Sequence, residues 1–225
     1  MAGIAMVLGA SGLVGNEVTQ GLLQSENWDE VRVLVRRPLD QQHPNLKQTV
    51  IEWDHLEQYE ELFDGVSAVF CCLGTTIKKA GSQADFERVD LQYPLKAAAL
   101  SQKKQVKQFL AVSSMGANSK SRNFYSRTKG RMEEGLSALE LKGLHLFRPS
   151  LLLGPRQEFR LGEQVATQLM KALDFLFIGN AAKYRAIQAR TVALAMINIA
   201  DAGTRGVHVY NNEVIHVLGK SSGLQ

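Results

Sequence analysis

The run Ile4-Ala5-Met6-Val7-Leu8, followed without a break by Gly9-Ala10-Ser11-Gly12-Leu13-Val14-Gly15, decides the fold of this chain. Five apolar residues closed by a glycine read as a short buried strand. Val14, Val18, Leu22 and Leu23 then recur at helical spacing, so the glycine segment opens a helix. Strand, glycine turn and helix form the setting in which such a motif cradles a phosphate. Gly9 permits the sharp turn. Gly12 has no Cβ to hold a pyrophosphate away from the backbone amides, and Gly15 lets the helix pack close to the strand. The free N–H groups and the positive end of the helix, with Ser11, Leu13 and Val14 between the glycines, complete the expected cradle. The spacing is GxxGxxG rather than GxGxxG. An ordinary strand-to-helix turn is the competing reading, and the position directly after a strand favours the cradle.

The remaining chain fits a domain of this kind. It has 225 residues, of which 45% are hydrophobic and 21% charged, an ordinary globular composition for an α/β domain. No apolar run reaches the roughly 18 residues that a membrane span needs. A core strand begins almost at once, so no signal peptide is expected. The two cysteines, Cys71 and Cys72, are neighbours and make a poor disulfide pair, so a reducing cytoplasm is expected. They read as small core residues. No metal-ligand spacing occurs. The net charge of +4 is mild, and an anionic cofactor accounts for it as well as a nucleic acid would. The basic residues are scattered without an aromatic stacking run, which argues against nucleic acid.

Val31 to Val35 is the second strand, ending in Arg36-Arg37-Pro38. In a dinucleotide fold the residue about 20 positions past the last glycine faces the adenosine ribose. An acid there would select NAD. Arg36 and Arg37 instead suit a 2′-phosphate, so NADP(H) is expected as cofactor. Gln48 to Glu52 is a third strand, and Asp54 beyond it either meets the adenine or caps a helix with Glu57 as a capping box. Leu56, Tyr59, Leu62 and Phe63 give that helix an apolar face. Val66 to Leu73 reads as a central parallel strand, and Leu73, Gly74 and Thr75 at its end are expected to touch the cofactor. Ile77 to Gln83 reads as a polar loop, followed by a long helix carrying Phe86, Val89, Leu95 and Ala98, in which Pro94 kinks or breaks the pattern. Lys103, Lys104 and Lys107 read as a solvated helix end. Gln108 to Val112 is the fifth strand, closed by Ser113-Ser114.

Tyr125 and Lys129 stand four apart at the start of the next helix and so share one face. A phenol is a poor acid–base group at neutral pH, and a nearby ammonium favours its phenolate. Lys129 can also hold a ribose hydroxyl. A serine from the preceding strand end, Ser114 or Ser113, can polarise a substrate carbonyl. Tyr125 is thus the candidate proton donor and acceptor, with Lys129 and Ser114 beside it.

These features resemble the short-chain dehydrogenase/reductase superfamily. More narrowly, VDLQYPLKAAAL (89–100), AVSSMGANSKSRNFYSRTKGRMEEGL (111–136) and FRPSLLLGPRQEFRLGE (147–163) resemble the atypical reductases related to the HIV Tat-interacting protein, an epimerase/dehydratase-like group with a Rossmann domain. The similarity runs over nearly the whole chain. It implies NADP binding, Tyr125 and Lys129 as the acid–base pair, and a serine from 113–114. It also implies that Pro149 and the backbone through Leu153 lie near the nicotinamide, and that Arg160 is an anion contact to cofactor or substrate, against which stands a solvated loop. In the wider superfamily a helix-borne asparagine often accompanies the Ser-Tyr-Lys set. The comparable place here reads Val89-Asp90.

Gly143 to Phe147 is a sixth strand, with His145 as a core or surface histidine. Residues 163–176 read as a helix, Phe175 to Ile178 as an apolar cluster, and Ala189 to Ala200 as a further helix. Val207 to Tyr210 and Val214 to Val217 read as two late strands, and 221–225 as a disordered tail. The whole is expected to be α/β, a Rossmann-like doubly wound parallel sheet in three α/β/α layers. Residues 1–220 would form one NAD(P)-binding domain with a small substrate region at about 155–185. The expected activity is hydride transfer between NADP(H) and a small carbonyl or alcohol. Two alternatives stand beside it. One is an NADP(H)-binding regulatory module with a protein partner and little turnover. The other is an epimerase or isomerase using its cofactor transiently.

Overall fold

The computed structural model describes residues 3–154 and 185–220. The readings placed on 155–184, Arg160 among them, and on the tail lie outside the described residues. β1 (Gly3–Leu8) leads through the glycine turn into α1 (Leu13–Leu23), then β2 (Trp28–Val35) and β3 (Leu46–Val50). A 3₁₀ segment (Trp53–Phe63) precedes β4 (Val66–Cys71). α2 (Ile77–Ala80), α3 (Gln83–Glu87), a π turn (Arg88–Gln92) and α4 (Tyr93–Lys103) follow. Next come β5 (Gln108–Val112), α5 (Phe124–Ala138) and β6 (Gly143–Arg148). The strands β7 (Leu152–Leu153) and β8 (Ile187–Gln188) pair with each other. The chain closes with α6 (Ala189–Ala202), β9 (Gly206–Asn211) and α7 (Asn212–Leu218).

The main sheet has seven strands in the order β3-β2-β1-β4-β5-β6-β9. Every adjacent pair is parallel. Side chains alternate across it. Ala5, Val7, Val33, Phe70 and Leu110 face one core with Val14, Val18 and Leu22 of α1 and Val192 and Met196 of α6. Met6, Leu8, Val69, Phe109 and Leu146 face the other, with Leu56, Phe63, Ala97, Met132 and Leu136. This is the doubly wound Rossmann-like architecture. Successive strands fan out to both sides of β1, so the crevice for a ligand lies beyond the carboxyl ends of β1 and β4.

Several local expectations are corrected. Within 77–83, Ile77–Ala80 is helical: Thr76 caps it by accepting from the Lys79 amide, and Gly81 ends it at φ +82°. The long helix is three pieces. Pro94 has no N–H to return to the preceding turn, and the chain widens there into the π turn before α4 begins. Residues 214–217 belong to α7, not to a strand. Ile215 is buried while Val214 and Val217 are exposed, a helical rather than an alternating pattern. The Asp54 capping box does not form, because the 3₁₀ segment starts at Trp53 with no side-chain cap. Asp54 instead accepts from the Tyr93 hydroxyl at 2.8 Å. Lys103 and Lys104 are ion-paired with Glu60, and Lys104 also with Asp64, rather than simply solvated.

Candidate active site

The glycine turn is built by close backbone contacts. Gly9 sits at φ +85°, and a Cβ there would lie 2.6 Å from the Cys72 carbonyl oxygen. A Cβ on Gly15 would lie only 2.2 Å from the Gly9 oxygen. The helix therefore starts directly against the end of β1, as the spacing of the glycines predicts. Gly12, the N-cap of α1, brings no side chain to the first amides of the helix. It is exposed, as is Ser11, while Val14 and Gly15 are buried. The turn thus presents amides at a bare helix end, a fit for the pyrophosphate of a dinucleotide. Leu13 is spoken for by packing: a Cβ at Gly154 would lie 2.7 Å from its Cδ1.

On the β2 side of the crevice a cavity of about 460 Å³ is lined by Arg36, Asp54, Thr75, Lys79, Arg88 and Tyr93, among others. Arg36 and Thr75, singled out from sequence, meet there. Arg37 is exposed and does not line it. Asp54 faces Arg88 at 3.8 Å as well as Tyr93. Burial and that carboxylate push the Tyr93 phenol up to about 12.

On the β5 side, Ser113 and Ser114 are both buried. Neither hydroxyl has a hydrogen-bond partner among the described residues. Buried hydroxyls are normally satisfied, so this pair has hydrogen-bonding capacity left for a further group. The Met115 amide donates to the Pro149 carbonyl at 2.9 Å, which brings the 149–153 segment to the same edge. Asn123 caps α5 through the Ser126 amide. On that helix the two residues of the YxxxK pair divide sharply in exposure. Tyr125 is 41% exposed, its ring edge-on to Phe86, whereas Lys129 is 3% exposed.

Lys129 has a partner that sequence reading left out of the site. Its Nζ lies 2.8 Å from Oδ1 of Asp90, itself 1% exposed. The other carboxylate oxygen, Oδ2, accepts from the Thr75 amide at 2.8 Å. Burial pulls the Lys129 ammonium down, but Asp90 and Tyr125 outweigh it and the ammonium stays above its ordinary range. Asp90 lies in the π turn, 39 residues from Lys129 in sequence, and no local spacing joins them. The available signal was an acid on the apolar face of a helix, four before a proline.

Cys71 is buried, and burial pushes its thiol up to about 11, as expected of a core residue rather than a nucleophile. His145 is also core. It lies 2.6 Å from Gln108 Oε1 and 3.0 Å from the Tyr210 hydroxyl, and its pKa is lowered to about 4 by burial and by His208.

A family model described as NAD(P)H-binding matches residues 9–150. The chain is 35% identical to rat HTATIP2, over 96% of this chain and 89% of that protein. It is 30% identical to the FMP52 protein of Debaryomyces hansenii, over 87% of each. In overall fold it is similar to MoeE5, solved in complex with UDP-glucose and NAD, at a TM-score of 0.71 and 17% identity, covering 99% of this chain and 83% of that one. The Debaryomyces protein is named as mitochondrial. Among the described residues no helix is long and apolar enough to cross a membrane.

Proposed function

This chain belongs to the NAD(P)H-binding family and, within it, to the group of HTATIP2, and on that premise we propose that it is an NADP(H)-dependent oxidoreductase acting on a small carbonyl or alcohol. One observation carries the reading. An exposed Tyr125, a buried cationic Lys129 and two buried serine hydroxyls without a partner among the described residues stand at the sheet edge onto which the glycine turn opens. Gly9, Ser11, Gly12, Leu13, Val14 and Gly15 would hold the pyrophosphate through backbone amides, and Leu73, Gly74 and Thr75 would border the cofactor. Arg36, with Arg37 beside it, would meet the 2′-phosphate from the cavity that Arg36 lines. When bound, NADP(H) supplies or accepts the hydride.

The protein's own residues handle the proton. During reduction the carbonyl carbon gains hydride, the C=O π pair moves to oxygen, and that oxygen takes the proton from the Tyr125 hydroxyl. Ser114 or Ser113 donates a hydrogen bond to the same oxygen as charge builds there. Oxidation is the reverse. Tyr125 is exposed enough to recover its proton from solvent.

Calorimetric titration with NADPH and NADH separately tests the proposal. NADPH is expected to bind at least about tenfold more tightly. Binding of neither would remove the enzyme reading, and equal binding would remove the 2′-phosphate assignment. NADPH oxidation with a panel of aldehydes and ketones then separates net reduction from an isomerase that returns its cofactor unchanged.

A further inference from the structure

The main sheet has two edges, and they are finished differently. At one edge β3 carries Lys47, and its Gln48 side chain donates to the Leu39 and Gln41 carbonyls at 3.3 and 2.7 Å, holding that segment beside the strand. At the other edge β9 reads Gly-Val-His-Val-Tyr-Asn, with no acid, lysine, arginine or proline to discourage pairing. Among the described residues no strand lies on its outer side. The Gly206 amide donates to the Lys142 carbonyl at 2.9 Å. Backbone groups alternate in direction along a strand, so Val207, Val209 and Asn211 turn theirs away from β6. The Val207 and Val209 side chains are 55% and 45% exposed. They lie on the sheet face where their neighbours Leu144 and Leu146 pack with Met132 and Leu136 of α5. Val214 and Val217, three apart on α7, are exposed as well. Four of the eight exposed large hydrophobic side chains among the described residues thus fall between 207 and 217, a concentration of the kind that a partner covers.

From this edge we infer that two copies of the chain associate through β9, each laying the strand antiparallel to its twin about a twofold axis at Val209, so that two sheets become one. The strand is complementary to itself in this register. Val209 meets the partner's Val209, and Val207 meets the partner's Asn211. These are the residues whose outward N–H and C=O groups can exchange both hydrogen bonds. His208 falls opposite the partner's Tyr210, which continues the stacking of those two rings across the axis. Arg205, just before the strand, falls opposite the partner's Glu213, just after it, and the twofold axis repeats this at the other end. Both side chains are exposed, and neither has an ion-pair partner among the described residues. Shifting the register by two residues keeps the outward groups facing but separates these charges, so the charges select the axis at Val209. A sheet continued in this way keeps its two faces. The valines of both β9 strands then form one apolar strip, and the two α7 helices lie together on the opposite face, where Ile215 is packed.

Sedimentation velocity of the full chain at micromolar concentration is the test, and a dimer is expected. Val209→Lys sets two ammonium groups together on the axis, at a position exposed enough to leave the protomer intact, and is expected to give monomer. Arg205→Glu and Glu213→Arg each bring like charges together at both ends of the pairing. Each is expected to weaken association by at least about tenfold. The double variant Arg205→Glu/Glu213→Arg restores the opposition with the signs exchanged, and its affinity is expected within about threefold of the parent's. A parent chain that stays monomeric overturns the inference and leaves the edge to a strand of another protein. A dimer that Val209→Lys leaves intact also overturns it, since association must then use another surface. A double variant as weak as the single ones overturns the axis at Val209. If Val209→Lys does not fold, the charge series decides alone. Association through β9 needs no cofactor, so loss of the dimer and failure to bind NADPH are separate results.

Discussion

Tyr125 and Lys129 share a helix face but not an environment: the phenol is reachable from solvent and the ammonium is sealed beneath it. That division sets the expectation for Tyr125→Phe. Removing the hydroxyl should lower turnover by roughly 10²–10⁴-fold, the usual worth of a positioned acid–base group, while NADPH affinity measured by calorimetry stays within about twofold. Unreduced turnover would move the proton to another group. Replacing Arg36 and Arg37 together by alanine should weaken NADPH binding and leave NADH nearly unchanged; equal loss of both would place the two arginines away from the 2′-phosphate. At this scale the sequence was informative wherever partners were close along the chain. The glycines at 9, 12 and 15 and the Tyr125–Lys129 spacing are local patterns, so they could be read directly. Asp90 could not, because its carboxylate is explained only by Lys129 and the Thr75 amide, each brought to it by the packing of a separate element.

At the scale of elements, α5 carries the proposed acid–base pair and must be held still against the sheet. Glu133 does this. Its carboxylate is almost buried and receives Arg148 of β6 through Nε at 3.0 Å and Nη2 at 2.5 Å, a two-pronged pair. Glu133→Ala would leave the half-buried guanidinium unpaired and should cost about 2–3 kcal/mol in denaturant unfolding. α1 is held differently, by absence of bulk. Gly15→Ala would drive a methyl into the Gly9 carbonyl and should cost about 3 kcal/mol and abolish NADPH binding; a stable variant with intact binding would contradict the close-approach argument. Elements were legible in proportion to how much of their own signal they carried. Of the first six strands of the sheet, β3 carries the weakest signal, with only Leu46 and Val50 apolar, and the others contain clear apolar stretches. Ile77–Ala80 carries no helical signal of its own although Thr76 and Gly81 mark its two ends, because four residues offer no periodicity. Val214 to Val217 looked like a strand from its β-branched residues, and tertiary packing of Ile215 overrode that preference.

Across the whole molecule, His145 joins three neighbouring strands through Gln108 of β5 and Tyr210 of β9, and its ring stacks on His208 at 5.3 Å. Its pKa falls from 6.5 to about 4 on folding, so below 6.5 the unfolded chain binds the proton more readily than the folded one. The stability this histidine contributes is whole above pH 6.5 and is lost progressively as pH falls toward 4, about 3 kcal/mol in all. Urea unfolding at pH 7 and pH 5 should show about 2 kcal/mol of that loss, and His145→Leu, though less stable at neutral pH, should lack that share of it. The three-layer plan was readable in outline because strands and helices alternate. The seventh strand was legible as well, at Val207 to Tyr210, whereas the face that each helix covers is a product of long-range packing. One such packing has a temporal meaning. α6 closes the core beneath β1 and α1, with the Ile197 methyl approaching so near that a Cβ on Gly21 would lie 2.6 Å from it. On the ribosome the glycine turn is made well before the wall behind it, which begins at Ala189. Until that helix follows, the nascent chain carries its glycine turn without the packing that backs it.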